Sequence, residues 1–188
     1  MNVYLAGLGI MLLYLSFTEQ TIEGLTINDK SDTEAMGLLI KMNDKTERLF
    51  KYIRKNKLHV KDERCKRLLE RFSCKKGTKF ECKLSERDEQ YGFVAYSKDK
   101  GAGGIGLCLR DKNKNLVNEN TLTFVYLHEL AHVMSKKWDH GDEFWNNFSD
   151  IIEIAIKAKI YKYQNFNSNN VTFCGEKITS SPYNPANK

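Results

Sequence analysis

The chain has 188 residues, of which 41% are hydrophobic and 29% charged, and a formal net charge of +6. That is enough apolar material for a buried core, which excludes wholesale disorder, and 2 prolines with 12 glycines exclude collagen-like and proline-rich chains. The length fits one domain with an appendage, and the positive balance admits nucleic acid, anionic lipid or an acidic protein as partner without choosing among them.

Residues 1–18 carry no charged side chain, and residues 3–17 are nearly all apolar. As a helix, residues 1–18 measure roughly 27 Å, just short of a hydrocarbon core of about 30 Å. A signal peptide would show a basic start and a small-residue cleavage site, and neither is clear here. A buried core helix is an alternative, but such helices usually carry polar positions on one face. The reading is a single-pass transmembrane helix over residues 1–18, a membrane localisation, and contact with the bilayer through residues 3–17.

Residues 19–77 read as a basic helical segment behind a polar connector. Ser31-Asp32-Thr33-Glu34 is a capping box that predicts a helix to about residue 56, with Leu39, Met42, Leu49 and Ile53 on one face. A second helix is predicted over about 61–73, with Cys65, Leu68, Leu69 and Phe72 inward. Residues 41–79 hold 15 Lys and Arg against 5 Asp and Glu. A solvated helix face is the default for such a run; a polyanion, an acidic protein or a neighbouring subunit of an assembly is the alternative. DNA is the less favoured polyanion, and no aromatic pattern suggests base stacking.

Residues 78–160 read as the core domain. The stretch 78–84 alternates like a half-buried strand, 91–96 is aromatic and β-branched, 98–104 is a turn, and 105–110 is another strand. Asn120 then caps a helix over about 121–136, followed by a helix over about 142–158. Residues 161–188 form an Asn- and Ser-rich polar tail with a short apolar patch at 171–174. The fold class is α+β, a small sheet packed on a histidine-bearing helix. The five cysteines include no C-x-x-C pair; Cys65, Cys74 and Cys82 are close enough for one disulfide, although reduced thiols are the plainer reading.

The chemistry concentrates in His128-Glu129-Leu130-Ala131-His132. On a helix, residues four apart share a face, so His128 and His132 can offer two imidazoles to one ion. Glu129 lies about 100° round the same helix, near enough to reach a water on that ion without ligating it. Leu127, Leu130, Ala131 and Val133 make this helix apolar, and burying two imidazoles and a carboxylate is costly without a partner such as a metal. His140, just downstream, supplies a third ligand and leaves a fourth position for water. The remaining histidine, His59, sits in the basic segment and reads as solvated.

With the strand at 105–110 and His140-Gly141-Asp142-Glu143-Phe144-Trp145, the HELAH motif resembles the WLM-type, SprT-like zinc metallopeptidases over roughly residues 90–158. The gap from His132 to His140 is longer than is usual for the WLM type, as SprT-like members tolerate. The resemblance implies a zincin-like fold, Zn2+ on His128, His132 and His140, and Glu129 as the catalytic base. It also admits a member from a large DNA virus, carried in the virion. The expected function is therefore a membrane-anchored zinc peptidase acting on a protein or peptide. The alternative is a membrane-anchored scaffold of an assembly such as a virus particle, with a metalloprotease-derived core. A DNA-tethered protease is a third reading. For oxyanion stabilisation beyond zinc, Tyr126 and Arg110 are merely near in sequence.

Overall fold

Asp32, not Ser31, opens the first helix in the computed structural model of the chain, which describes residues 25–27, 32–72, 83–87 and 92–187. The Asp32 backbone is extended, and its carboxylate accepts a hydrogen bond from the Ala35 amide at 2.8 Å. Helix α1 then runs Thr33–Lys55 and buries Ala35, Leu39, Met42, Leu49 and Ile53 along one face. Its one polar core residue, Thr46, donates back to the Met42 carbonyl at 2.8 Å, and the Tyr126 hydroxyl lies 2.6 Å from its oxygen. Lys57 leaves the helix in the left-handed region, and a single turn, α2 (Leu58–Lys61), follows.

The predicted second helix starts at Asp62, close to its expected beginning, and α2 is a separate turn before it. Asp62 is extended, and its carboxylate accepts from the Arg64 amide at 2.8 Å, so it caps a new helix, α3 (Glu63–Arg71). A short carboxylate three residues before Cys65 satisfies amide donors that a continuous helix would have satisfied internally.

Four short strands form the main sheet: β1 (Leu25–Thr26), β2 (Leu84–Glu86), β3 (Ala95–Lys98) and β4 (Gly104–Leu107), in the order β1-β2-β4-β3. The first three in that order run parallel, and β3 closes the sheet as an antiparallel edge strand. Tyr96 pairs with Gly106, where a Cβ would lie 2.3 Å from the tyrosine ring, so glycine is required for the ring to lie across β4. Most of the predicted strand at 78–84 lies outside the described residues. β1 falls within the expected polar connector; a two-residue strand is too short to show periodicity.

Helix α4 (Glu119–Met134) starts at Asn118, whose side chain accepts from the amides of Asn120 and Thr121; the cap is two residues before the predicted one. Helix α5 (Asp142–Lys157) packs along α4. The 3-10 turn Asp99–Gly101 between β3 and β4 lies on α4. Gly101 has φ +94°, and a Cβ there would meet the Val133 side chain at 2.9 Å.

The C-terminal segment contributes more than a polar tail. Tyr161, Phe166 and Phe173 are buried in the same core as Leu39, Leu68, Leu107 and Leu130, so the basic helices and the last segment share one apolar interior. β5 (Val171–Phe173) and β6 (Glu176–Ile178) pair as a separate hairpin. Cys174 at its tip is bonded to Cys108 after β4, at an S–S distance of 2.07 Å. This corrects the expected cysteine pattern: Cys65 is a buried free thiol, and Cys74 and Cys82 lie outside the described residues.

The expected fold class also carried a transmembrane helix, and that part is corrected. No helix among the described residues is long and apolar enough to cross a membrane; α1 has the length, but its outer face is charged. The apolar run at residues 3–17 lies outside the described residues. Within them the architecture is mixed, helices packed with two small sheets.

Candidate metal centre

Helix α4 is buried around nearly its whole circumference, with apolar side chains on every side. One side opens into a cleft of about 600 Å³, and there His128, Glu129 and His132 emerge. After α4 the chain turns through residues 135–141 and returns as α5. This loop carries His140 back to the same cleft. Its Nε2 lies 3.3 Å from that of His128. One ligating nitrogen from each of the three rings falls within 4.8 Å of the others.

These residues fit a metal ion. Tetrahedral ligation at the usual zinc–nitrogen length places ligand nitrogens about 3.3 Å apart, the spacing of the His128–His140 pair. The Nδ1 of His132 is buried without a hydrogen-bond partner among the described residues, so internal hydrogen bonding does not account for the placement of this ring. Burial, then the neighbouring His132 and His140, pushes the His128 pKa down to about 3; burial, then His140 and Lys100, pushes that of His132 down to about 4. Both rings are therefore neutral near pH 7, with lone pairs free for a cation.

Glu129 is 6% exposed and makes no part of the three-nitrogen cluster. Burial raises its pKa to about 7, and the Ser97 hydroxyl on β3 opposes that rise without forming a hydrogen bond of ordinary geometry. A carboxyl balanced near neutrality can exchange a proton with water at working pH.

Phe144 is the residue whose role the sequence reading missed. Its ring centroid lies 4.4 Å from that of His132, 4.5 Å from His140 and 4.8 Å from His128. It is 1% exposed and forms the floor under all three imidazoles. The signal was present in the sequence as His140-x-x-x-Phe144, with His140 in the loop before α5 and Phe144 in its first turn. Trp138 and Trp145, 52% and 45% exposed, flank the cluster, with rings 6.4 Å from His132 and 6.0 Å from His140. Strand β3 forms one wall of the cleft, and residues 177–180, at the end of the disulfide-tied hairpin, form part of another.

The other named residues lie elsewhere. The Tyr126 hydroxyl is fully buried against Thr46, and Arg110 pairs with Asp32 and Glu86 beside a different cavity. Neither lines the histidine cleft. His59 is half-buried at a small surface pocket remote from it. Several residues of the basic segment are used internally. Lys45 pairs with Glu119 at 3.0 Å and donates to the Ile160 carbonyl, and Arg64 pairs with Asp62 and Asp150.

Viral proteins are similar to part of this chain. A protein of Acanthamoeba polyphaga mimivirus is 34% identical over 84 residues, which is 44% of this chain and 42% of that protein. One of Invertebrate iridescent virus 3 is 41% identical over 58 residues, 30% of this chain and 36% of its own length. One of Invertebrate iridescent virus 6 is 35% identical over 60 residues, 30% of this chain and 34% of its own length. Each of the three carries the name of an uncharacterized protein. The matched stretch spans less than half the length of each relative. No family model and no solved structure matches the chain.

Proposed function

We propose that the chain is a zinc-dependent peptidase that hydrolyses peptide bonds in a protein or peptide substrate. The observation that carries this reading is three imidazoles with ligating nitrogens within 4.8 Å, beside a buried carboxyl outside their cluster, in an open cleft. His128, His132 and His140 would hold the ion, and three protein ligands leave one position open, as in catalytic rather than structural zinc sites. When bound, zinc supplies Lewis acidity, lowering the pKa of water toward about 7 and polarising a scissile carbonyl.

The protein's own groups do the rest. Glu129 takes the proton of the attacking water and returns it to the departing amine, a role open to a carboxyl that lines the cleft without joining the three-nitrogen cluster. Strand β3, at the edge of the sheet among the described residues, lines the cleft, and an extended chain can align along it. Trp138 and Trp145 give that chain apolar surface on either side of the histidines.

A peptide library incubated with the full chain, with and without a chelator, tests the reading. Cleavage that chelator abolishes and zinc restores is expected; no cleavage across the library by zinc-loaded protein overturns it. A second reading, a particle component whose peptidase-derived core serves structure, draws support from the viral relatives. It predicts that the chain is found in purified particles and that Glu129→Gln leaves their assembly unchanged.

A further inference from the structure

We propose that Arg67, Arg71 and Glu143 are positioning residues that deliver His140 to the other two histidines. The inference rests on reading the three histidines as one metal site, and concerns what sets their mutual geometry. His128 and His132 need only the helix that carries them. His140 needs the chain to leave α4 in one direction, and a helix end leaves four carbonyls without internal partners.

Here the carbonyls of residues 133–136, at that end and just past it, meet three cations from two distant segments. Arg71 Nη1 donates to the carbonyls of Val133 at 2.9 Å and Ser135 at 2.8 Å. Arg67 Nε donates to that of Met134 at 2.7 Å. Lys100, from the 3-10 turn after β3, donates to Ser135 at 3.1 Å and to Lys136. Positive charge at this end also complements the helix dipole.

The far side of the loop is held as firmly. Both carboxylate oxygens of Glu143 accept from the Lys136 amide, at 3.1 and 3.2 Å, and Arg67 Nη2 lies 3.5 Å from the same carboxylate. Asn147, fully buried on α5, donates to the Ser135 hydroxyl at 2.8 Å. Water could satisfy exposed carbonyls individually. Side chains fixed on α3 and α5 instead tie residues 133–136 to both helices, and that sets where His140 arrives. Two cations of the basic segment thus serve the centre from behind.

The test uses metal-free full chain titrated with zinc, and with cobalt(II) as a spectroscopic probe of coordination. Arg71→Gln and Glu143→Ala should each weaken zinc binding about 10- to 100-fold, the usual effect of disturbing the support of a ligand. Their cobalt spectra should move toward that of His140→Ala. Combined with His140→Ala, neither should weaken binding further, because the interaction each supports is already gone. Glu143, on the first turn of α5 and half-buried, provides a variant that keeps the fold if Arg71→Gln does not. Unchanged affinity in both variants, or losses that add fully to that of His140→Ala, would overturn the inference while leaving the metal site intact. A wild-type chain that binds neither ion would remove the metal reading itself, and this inference with it.

Discussion

Glu129 and the histidines share one burial but respond to it in opposite ways. Low polarity removes charge from all three buried groups: the carboxyl keeps its proton and the imidazoles lose theirs. This gives a signed expectation for the metal-free chain. Between about pH 4.5 and 6.5 the unfolded chain protonates His128 and His132, whereas the folded chain protonates neither and protonates Glu129 instead. The unfolded state therefore binds two protons against one, and stability falls as pH drops through that window. Asp32 and Glu119 lie outside it: the Ala35 amide and Arg110 hold the first below the usual carboxylate range, and hydrogen bonding to Lys45 holds the second there. Urea midpoints of metal-free protein at pH 7 and pH 5 check this; a higher midpoint at pH 5 contradicts the burial of the rings. Glu129→Gln should retain zinc while turnover falls by about 100-fold or more, the usual weight of a general base. Phe144→Ala should cost about 3–5 kcal/mol in a thermal or urea melt, as for a large buried ring, and also weaken zinc binding. A stable Phe144→Ala protein with unchanged zinc affinity would show that the ring is no floor to the site.

At the scale of elements, the histidine-bearing helix was legible and its surroundings were not. The HELAH pair, the apolar neighbours and the downstream histidine all sit within one local stretch, and helix periodicity joins them without tertiary knowledge. The single turn α2 before Asp62 escaped because four residues are too few to show helix periodicity, whereas α3 begins close to its expected position. Pairing of Cys108 with Cys174 spans 66 residues and follows from the hairpin folding back on the end of β4, which spacing among cysteines cannot reveal. That bridge closes a loop whose entropy is worth about 4 kcal/mol. Cys174→Ser should therefore lower the thermal midpoint markedly, and reduction by dithiothreitol should lower the wild type to the same level. Equal midpoints with and without reductant would mean that Phe173 and its apolar neighbours hold the hairpin alone.

At the scale of the whole molecule, charge has two fates. Arg64, Arg67, Arg71 and Lys45 bind carbonyls and carboxylates inside the fold, whereas Lys51, Arg54 and Lys55 stay exposed on α1. Sequence counting merges the two, since an internal helix cap and a solvated cation look alike in a run of Lys and Arg. Charge reversal at Lys51, Arg54 and Lys55 should leave the thermal midpoint nearly unchanged, while Arg64→Ala should lower it, because Asp62 and Asp150 lose their shared partner. What unites the molecule is that α3, α5, the turn after β3 and the loop at 135–141 converge on one cluster of three imidazoles. The most direct measurement is the metal content of the purified full chain beside its His132→Ala variant. The metal reading predicts close to one zinc per chain in the wild type and loss of that zinc in the variant. A wild type without zinc, or a His132→Ala protein that keeps its full zinc, would contradict it.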